Sequence, residues 1–124
     1  MTKPRLLVAV VDDEQSVRTA LRRLLRSAGL EVETFASGDA FLESLKATHP
    51  TCVVLDLHMP GLDGFAVLAR LAEARVALSV VVITGHDTSE THERVMASGA
   101  SAYLRKPVDG QMLLDAIQRA VAQR

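Results

Sequence analysis

Leu6-Leu7-Val8-Ala9-Val10-Val11 is an unbroken apolar run, and Asp12-Asp13-Glu14 ends it. A half-exposed strand alternates apolar and polar residues. A continuous run of this length is the pattern of a strand buried on both faces. The hydrophobic period then changes. Val17, Ala20, Leu21, Leu24, Leu25 and Ala28 recur at helical spacing, and Gly29 closes the helix.

The same change of period repeats along the chain. Val32-Glu33-Thr34-Phe35 reads as a short strand, and Phe41, Leu42 and Leu45 mark a helix closed by His49-Pro50. Cys52-Val53-Val54-Leu55 is a buried strand ending in Asp56, followed by a helix on Phe65, Leu68, Leu71 and Ala72. Leu78–Ile83 is a fourth strand ending at Thr84-Gly85. A weakly apolar helix over roughly 88–98 follows, with Asp87 and Glu90 spaced as a capping box. Ala102-Tyr103-Leu104 is a fifth strand, and Met112, Leu113, Ala116, Ile117, Ala120 and Val121 form the last helical stripe. Alternating strands and helices imply right-handed crossovers and a parallel sheet covered on both faces, an α/β fold. Five strands suit the doubly wound, flavodoxin-like (βα)5 order 2-1-3-4-5, whose ligands lie beyond the carboxyl ends of the strands at the switch point.

Composition narrows the function. The 124 residues make one domain spanning 1–124, large enough to bury about two-thirds of its unfolded surface. Fourteen basic residues against fifteen acids argue against a coat for nucleic acid or an anionic membrane. At 3% aromatic residues and no Trp, the composition also argues against a base-stacking platform. Cys52, the one cysteine, allows neither an internal disulfide nor a CxxC motif and reads as a small buried hydrophobe. No apolar run is long enough for a signal segment or a membrane span, so the expected location is cytoplasmic. The only lysines are Lys3, Lys46 and Lys106.

The strand ends carry the chemistry. Asp12-Asp13, Asp56, Thr84 and Lys106-Pro107 would converge on one sheet edge, with Asp13 and Asp56 flanking the switch point. Clustered carboxylates repel one another, and a hard divalent cation relieves the repulsion. Mg²⁺ held by one or two carboxylates leaves room for phosphate oxygens and leaves one carboxylate free as a nucleophile toward a phosphoryl group. Asp56 stands alone at the central strand and is assigned as phosphoacceptor, with Asp13 the first metal ligand. Lys106 would neutralise charge and Thr84 would donate a hydrogen bond. Each residue also has a plainer reading. Asp12 or Asp13 would serve as the N-cap of the next helix, and Lys106 would be solvated.

The runs Val11-Asp12-Asp13-Glu14, Leu55-Asp56-Leu57-His58-Met59-Pro60-Gly61-Leu62-Asp63-Gly64, Ile83-Thr84-Gly85-His86 and Tyr103-Leu104-Arg105-Lys106-Pro107 resemble the receiver domain of two-component response regulators over essentially the whole chain. Ile83-Thr84-Gly85-His86 is similar to the FixJ-like branch. The resemblance implies a phospho-switch. A histidine kinase or phosphotransfer protein would phosphorylate Asp56, with Mg²⁺ bound by Asp13, Asp56 and the backbone carbonyl of His58, and Asp12 close by. It implies no enzyme beyond self-phosphorylation and autodephosphorylation at Asp56. Thr84 and Lys106 would reorient toward the phosphoryl group, and Tyr103 would be the switch aromatic. The Lys106–Pro107 bond would be cis, the readout face would be the fourth helix, fifth strand and fifth helix, and activation would promote a homodimer. His58 and His86 fall at positions that tune phosphoryl-group lifetime in the family. They are expected to be rim residues, since two His without fixed helical spacing are a weak metal signal. Arg18, Arg22, Arg23 and Arg26 read as a solvated face, with kinase docking as the sharper alternative.

Three rivals share parts of this pattern. A flavin binder would need a phosphate-cradling first loop where this chain has Asp12-Asp13-Glu14. An aspartyl phosphatase would carry an acid two residues after its nucleophile, where this chain has His58. A non-phosphorylated module would not need all five site residues. The chain ends at Arg124 with no helix-turn-helix after the last helix. A stand-alone receiver and the regulatory part of a transcriptional regulator therefore both remain open.

Overall fold

Five strands pair in parallel in the order β2-β1-β3-β4-β5 in a computed structural model that describes residues 6–123. The elements are β1 (Leu7–Val11), α1 (Gln15–Ser27), β2 (Glu31–Phe35), α2 (Gly38–Ser44), β3 (Cys52–Asp56), α3 (Gly64–Glu73), β4 (Ser79–Thr84), α4 (Ser89–Ala97), β5 (Ala102–Arg105) and α5 (Gly110–Ala122). This is the α/β order expected from the alternating periods. Lys3 lies outside the described residues, and Leu6 is exposed just before β1.

Each central strand feeds two cores because successive side chains point to opposite faces. Ala9 and Val11 of β1 join Val53, Leu55 and Val82 beneath α2 and α3, with Phe41, Val67, Leu68 and Leu71. Val8 and Val10 join Cys52, Val54, Val81 and Ile83 beneath α1 and α5, with Leu21, Leu25, Leu113 and Ile117. All five residues of β3 are buried, which is why Cys52–Asp56 shows no alternation. No helix among the described residues is long and apolar enough to cross a membrane.

The helix ends have identifiable causes. Gly29 adopts φ +87, its N–H donates to Arg26 O, and the Leu30 N–H donates to Leu25 O, a left-handed cap that stops α1 where the sequence expects. α2 stops at Ser44, before His49-Pro50. The N–H groups of Leu45, Lys46 and Ala47 donate to carbonyls three residues back, and the Thr48 hydroxyl takes the Ser44 carbonyl, so the chain tightens and leaves the helix.

Two sequence expectations are corrected in detail. Thr88, not Asp87, caps α4, its Oγ1 accepting from Thr91 N–H at 3.0 Å. Asp87 is instead engaged by β5, as described below. Ala20 of α1, Ala28 at its C-cap, Ala72 of α3 and Met112 of α5 fall on the helical stripes yet are exposed, Met112 at 59%. On α4 only Val95 is buried, while Met96 and Ala97 face outward. The helix has two further ties. The Arg94 guanidinium lies 3.8 Å above the Phe65 ring centroid, and His92 stacks on Tyr103 at 4.6 Å.

Candidate functional site

The carboxyl ends of β1, β3, β4 and β5 bring Asp12, Asp56, Thr84 and Lys106 together, because parallel register puts every strand end on one edge. Ligand oxygens of Asp12, Asp13 and Asp56 lie within 4.8 Å of one another, a cluster that could hold a metal ion. Asp12, Asp56 and Thr84 are buried, and Asp13 is exposed.

Asp12 does not cap α1. The N-cap is Glu14, which makes no side-chain capping bond. Asp12 Oδ1 accepts from the Glu14 N–H at 2.9 Å. Asp12 Oδ2 is buried, accepts no well-aligned hydrogen bond among the described residues, and lies 2.7 Å from Lys106 Nζ. Nζ also lies 3.4 Å from Asp56 Oδ2 and 3.6 Å from Glu14 Oε1. Lys106 is therefore not solvated; it faces three carboxylates. Its backbone N–H donates to Thr84 O at 2.8 Å, and the following Lys106–Pro107 peptide is cis, as the resemblance implies.

Burial and neighbouring charges shift Asp56 and Lys106. Burial and the neighbouring Asp12 charge push Asp56 up to about 6, although Lys106 and the His58 N–H pull it back. Burial alone would lower Lys106, but its bond to Asp12 and the charges of Asp56 and Asp12 outweigh burial and raise it. A buried carboxylate raised by burial and by a neighbouring charge, at the end of a central strand, marks a candidate functional site.

Local structure fixes Asp56 and the turn that follows it. The Asp63 side chain caps α3 by accepting from Ala66 N–H at 2.9 Å, and the Gly64 N–H donates to Leu57 O. A Cβ on Gly64 would lie 2.7 Å from Asp56 O and from Leu57 Cα, so only glycine lets α3 begin this close to the strand end. The His58 N–H reaches Asp56 Oδ1 at 3.4 Å, and the His86 N–H donates to Thr84 Oγ1 at 3.0 Å. His58 and His86 are exposed at the rim, as expected.

Tyr103 is half-buried, and its hydroxyl donates to Asp87 Oδ1 at 2.9 Å. Arg105 Nε sits 3.6 Å from the other oxygen of Asp87. Burial first, and then the Asp87 bond, push the Tyr103 phenol up to about 12.

Sequence reading misses Asp87, which it assigns to the helix cap, and Glu14, which adjoins Asp12-Asp13 in the acidic run. It also places Arg18 in solvent with Arg22, Arg23 and Arg26. The structure instead sets Arg18 Nη1 2.7 Å from the Asp12 carbonyl, so this side chain braces the site while the other three stay exposed.

Residues 8–118 match the response regulator receiver domain. Nodulation protein W of Bradyrhizobium diazoefficiens is 39% identical over 94% of this chain and 51% of its own length. FixJ of the same organism is 35% identical over 94% of this chain and 57% of its own length. The chain thus spans about half the length of these relatives. The receiver protein of Burkholderia phymatum is 44% identical, superposes with a TM-score of 0.84, and covers 95% of this chain and 96% of its own. Family match, strand order and the placement of the strand-end residues agree: the chain belongs to the response regulator receiver domain family.

Proposed function

We propose that this domain accepts a phosphoryl group on Asp56 from a histidine kinase or phosphotransfer protein, and that the acyl phosphate switches the α4-β5-α5 face. The observation that carries this reading is the position of Asp56: a buried carboxylate raised to about 6, with Lys106 Nζ at 3.4 Å. In the transfer, an Asp56 carboxylate oxygen attacks phosphorus. A new O–P bond forms, the bond from phosphorus to the donor nitrogen breaks, and that electron pair stays with the donor.

The donor set fits a hard cation. The clustered side chains offer only carboxylate oxygens, the ligand type that Mg²⁺ prefers. Mg²⁺ would be held by Asp13, Asp56 and the His58 backbone carbonyl, with Asp12 close by, and when bound it supplies charge neutralisation for the phosphoryl oxygens. Lys106 supplies the protein's own positive charge. Self-phosphorylation and its reversal by water at Asp56 are the only catalysis proposed.

The switch would act through Thr84 and Tyr103. A phosphoryl group adds charge and acceptor oxygens at Asp56, and Thr84 would turn its hydroxyl toward them. Tyr103 now points to Asp87, and turning inward would cost that bond. α4 has Val95 as its one buried residue, so it is the weakly held part of the sheet's cover. A cleft of about 570 Å³ runs from Thr84 and Lys106 to Leu104, Arg105 and Met112, joining the site to the proposed readout face. Activation would promote a homodimer through this face, and an output domain in a longer protein would read it.

Adding Mg²⁺ and beryllofluoride, a phosphoryl mimic, tests the switch. The reading requires NMR shift changes at Thr84 and Tyr103 and along α4, with a faster-sedimenting species. Spectra and sedimentation that stay unchanged would contradict it.

A further inference from the structure

His58 and His86 belong to different loops, one after β3 and one after β4, yet their ring centroids lie 4.8 Å apart with planes at 86°. Both side chains are exposed. Their backbones are tied to the two central site residues, His58 N–H to Asp56 and His86 N–H to Thr84. A metal ion about 2.1 Å from an imidazole nitrogen lies about 3.2 Å from that ring's centroid. Two imidazoles on one ion, at angles between square and tetrahedral, therefore hold their centroids about 4.5–5.2 Å apart. The observed separation falls inside that interval.

An edge-on ring pair without metal spans the same distances, so location decides. Solvent reaches both rings, and the adjacent Asp12, Asp13 and Asp56 cluster attracts divalent cations toward them. We infer that His58 and His86 form a two-imidazole site for a borderline divalent cation such as Ni²⁺, Cu²⁺ or Zn²⁺, separate from the hard-cation site on the carboxylates. Imidazole favours these ions, whereas carboxylate favours Mg²⁺, so the two sites sort cations by ligand type. Water completes the coordination. A bound ion would staple the loop after β3 to the loop after β4. On the phospho-switch reading above, that staple would resist the movement of Thr84, and phosphorylation would reciprocally weaken the metal. The binding itself does not rest on that reading.

Calorimetric titration of the untagged chain with Ni²⁺, in saturating Mg²⁺, tests the site. One Ni²⁺ per chain is expected. His58→Ala, His86→Ala and His86→Gln should each weaken it about tenfold or more, because a two-point ligand becomes a one-point ligand. His49→Ala, an exposed histidine elsewhere, should leave it unchanged, and Asp56→Asn, which removes one charge of the neighbouring cluster and no imidazole, should weaken it far less than either histidine variant. Thermal melts by circular dichroism establish that each variant is folded. No Ni²⁺ binding in Mg²⁺, wild-type binding by the folded His58 and His86 variants, or loss in Asp56→Asn alone would each overturn the proposal. The last result would put the ion in the acidic pocket.

Discussion

The Nζ of Lys106 lies 2.7 Å from Oδ2 of Asp12, and the same ammonium lies 3.4 Å from Asp56. One cation thus holds two buried carboxylates at the edge of the sheet. Lys106→Met would leave both uncompensated. Breaking a buried pair costs about 3–5 kcal/mol, and partial exposure of Lys106 brings the expectation to about 2–3 kcal/mol. Urea unfolding in EDTA at neutral pH should show that loss, with Mg²⁺ restoring part of it. An unchanged midpoint would mean that the pair is not coupled to stability.

The raised Asp56 has a definite sign in its pH dependence. Its folded value, about 6, lies above the unfolded 3.8. The folded state holds the proton more tightly between those values. Stability contributed by the protonated group is therefore present below about pH 4 and is lost as pH rises through about 6. Asp56→Asn removes the penalty. In EDTA it should stabilise the fold by roughly 2–3 kcal/mol at pH 7.5 and by much less near pH 4. Paired melting curves at the two pH values check this; equal differences at both would contradict it.

Gly64→Ala should disturb the backbone at Asp56, the proposed acceptor. The new Cβ would sit 2.7 Å from the Asp56 carbonyl oxygen and the Leu57 Cα, backbone atoms that cannot swing aside. A loss of about 1–3 kcal/mol is expected, together with slower phosphorylation as the β3 end shifts. Urea unfolding and phosphorylation rate measured on the same preparation separate the two effects.

Tyr103→Phe removes the hydroxyl that donates to Asp87. The bond is exposed, so global stability should fall by about 1 kcal/mol or less. Local order should change more. Hydrogen exchange along 89–97 should quicken relative to α1 and α5, because α4 has one buried residue and few other ties. Unaltered exchange in α4 would mean that Tyr103 does not help to hold it.

The fold is legible in the sequence because Val8–Val11, Cys52–Leu55 and Val80–Ile83 are buried on both faces, which leaves no alternation to confuse them with surface strands. The site is legible for a related reason: a parallel sheet collects its strand ends, so Asp12, Asp56, Thr84 and Lys106 need only be read as strand-terminal to be read as neighbours. What escapes is tertiary. Ala20 and Ala28 are small enough for either side of a helix, so helical spacing alone does not orient them. Asp87 with Glu90 and Thr88 with Thr91 have the same spacing of three. Only the approach of Tyr103 and Arg105 from β5 takes Asp87 and leaves Thr88 as cap. The pairing of His58 with His86 and the grip of Arg18 on the Asp12 carbonyl join separate elements, and no local pattern encodes them.

The central claim is that Asp56 is the phosphoacceptor. Its most direct test is intact-mass measurement after incubation with Mg²⁺ and acetyl phosphate, comparing wild type with Asp56→Asn. The structure predicts a single phosphoryl increment on the wild type, abolished by EDTA and absent from Asp56→Asn. The same increment on both chains, or on neither, would contradict it.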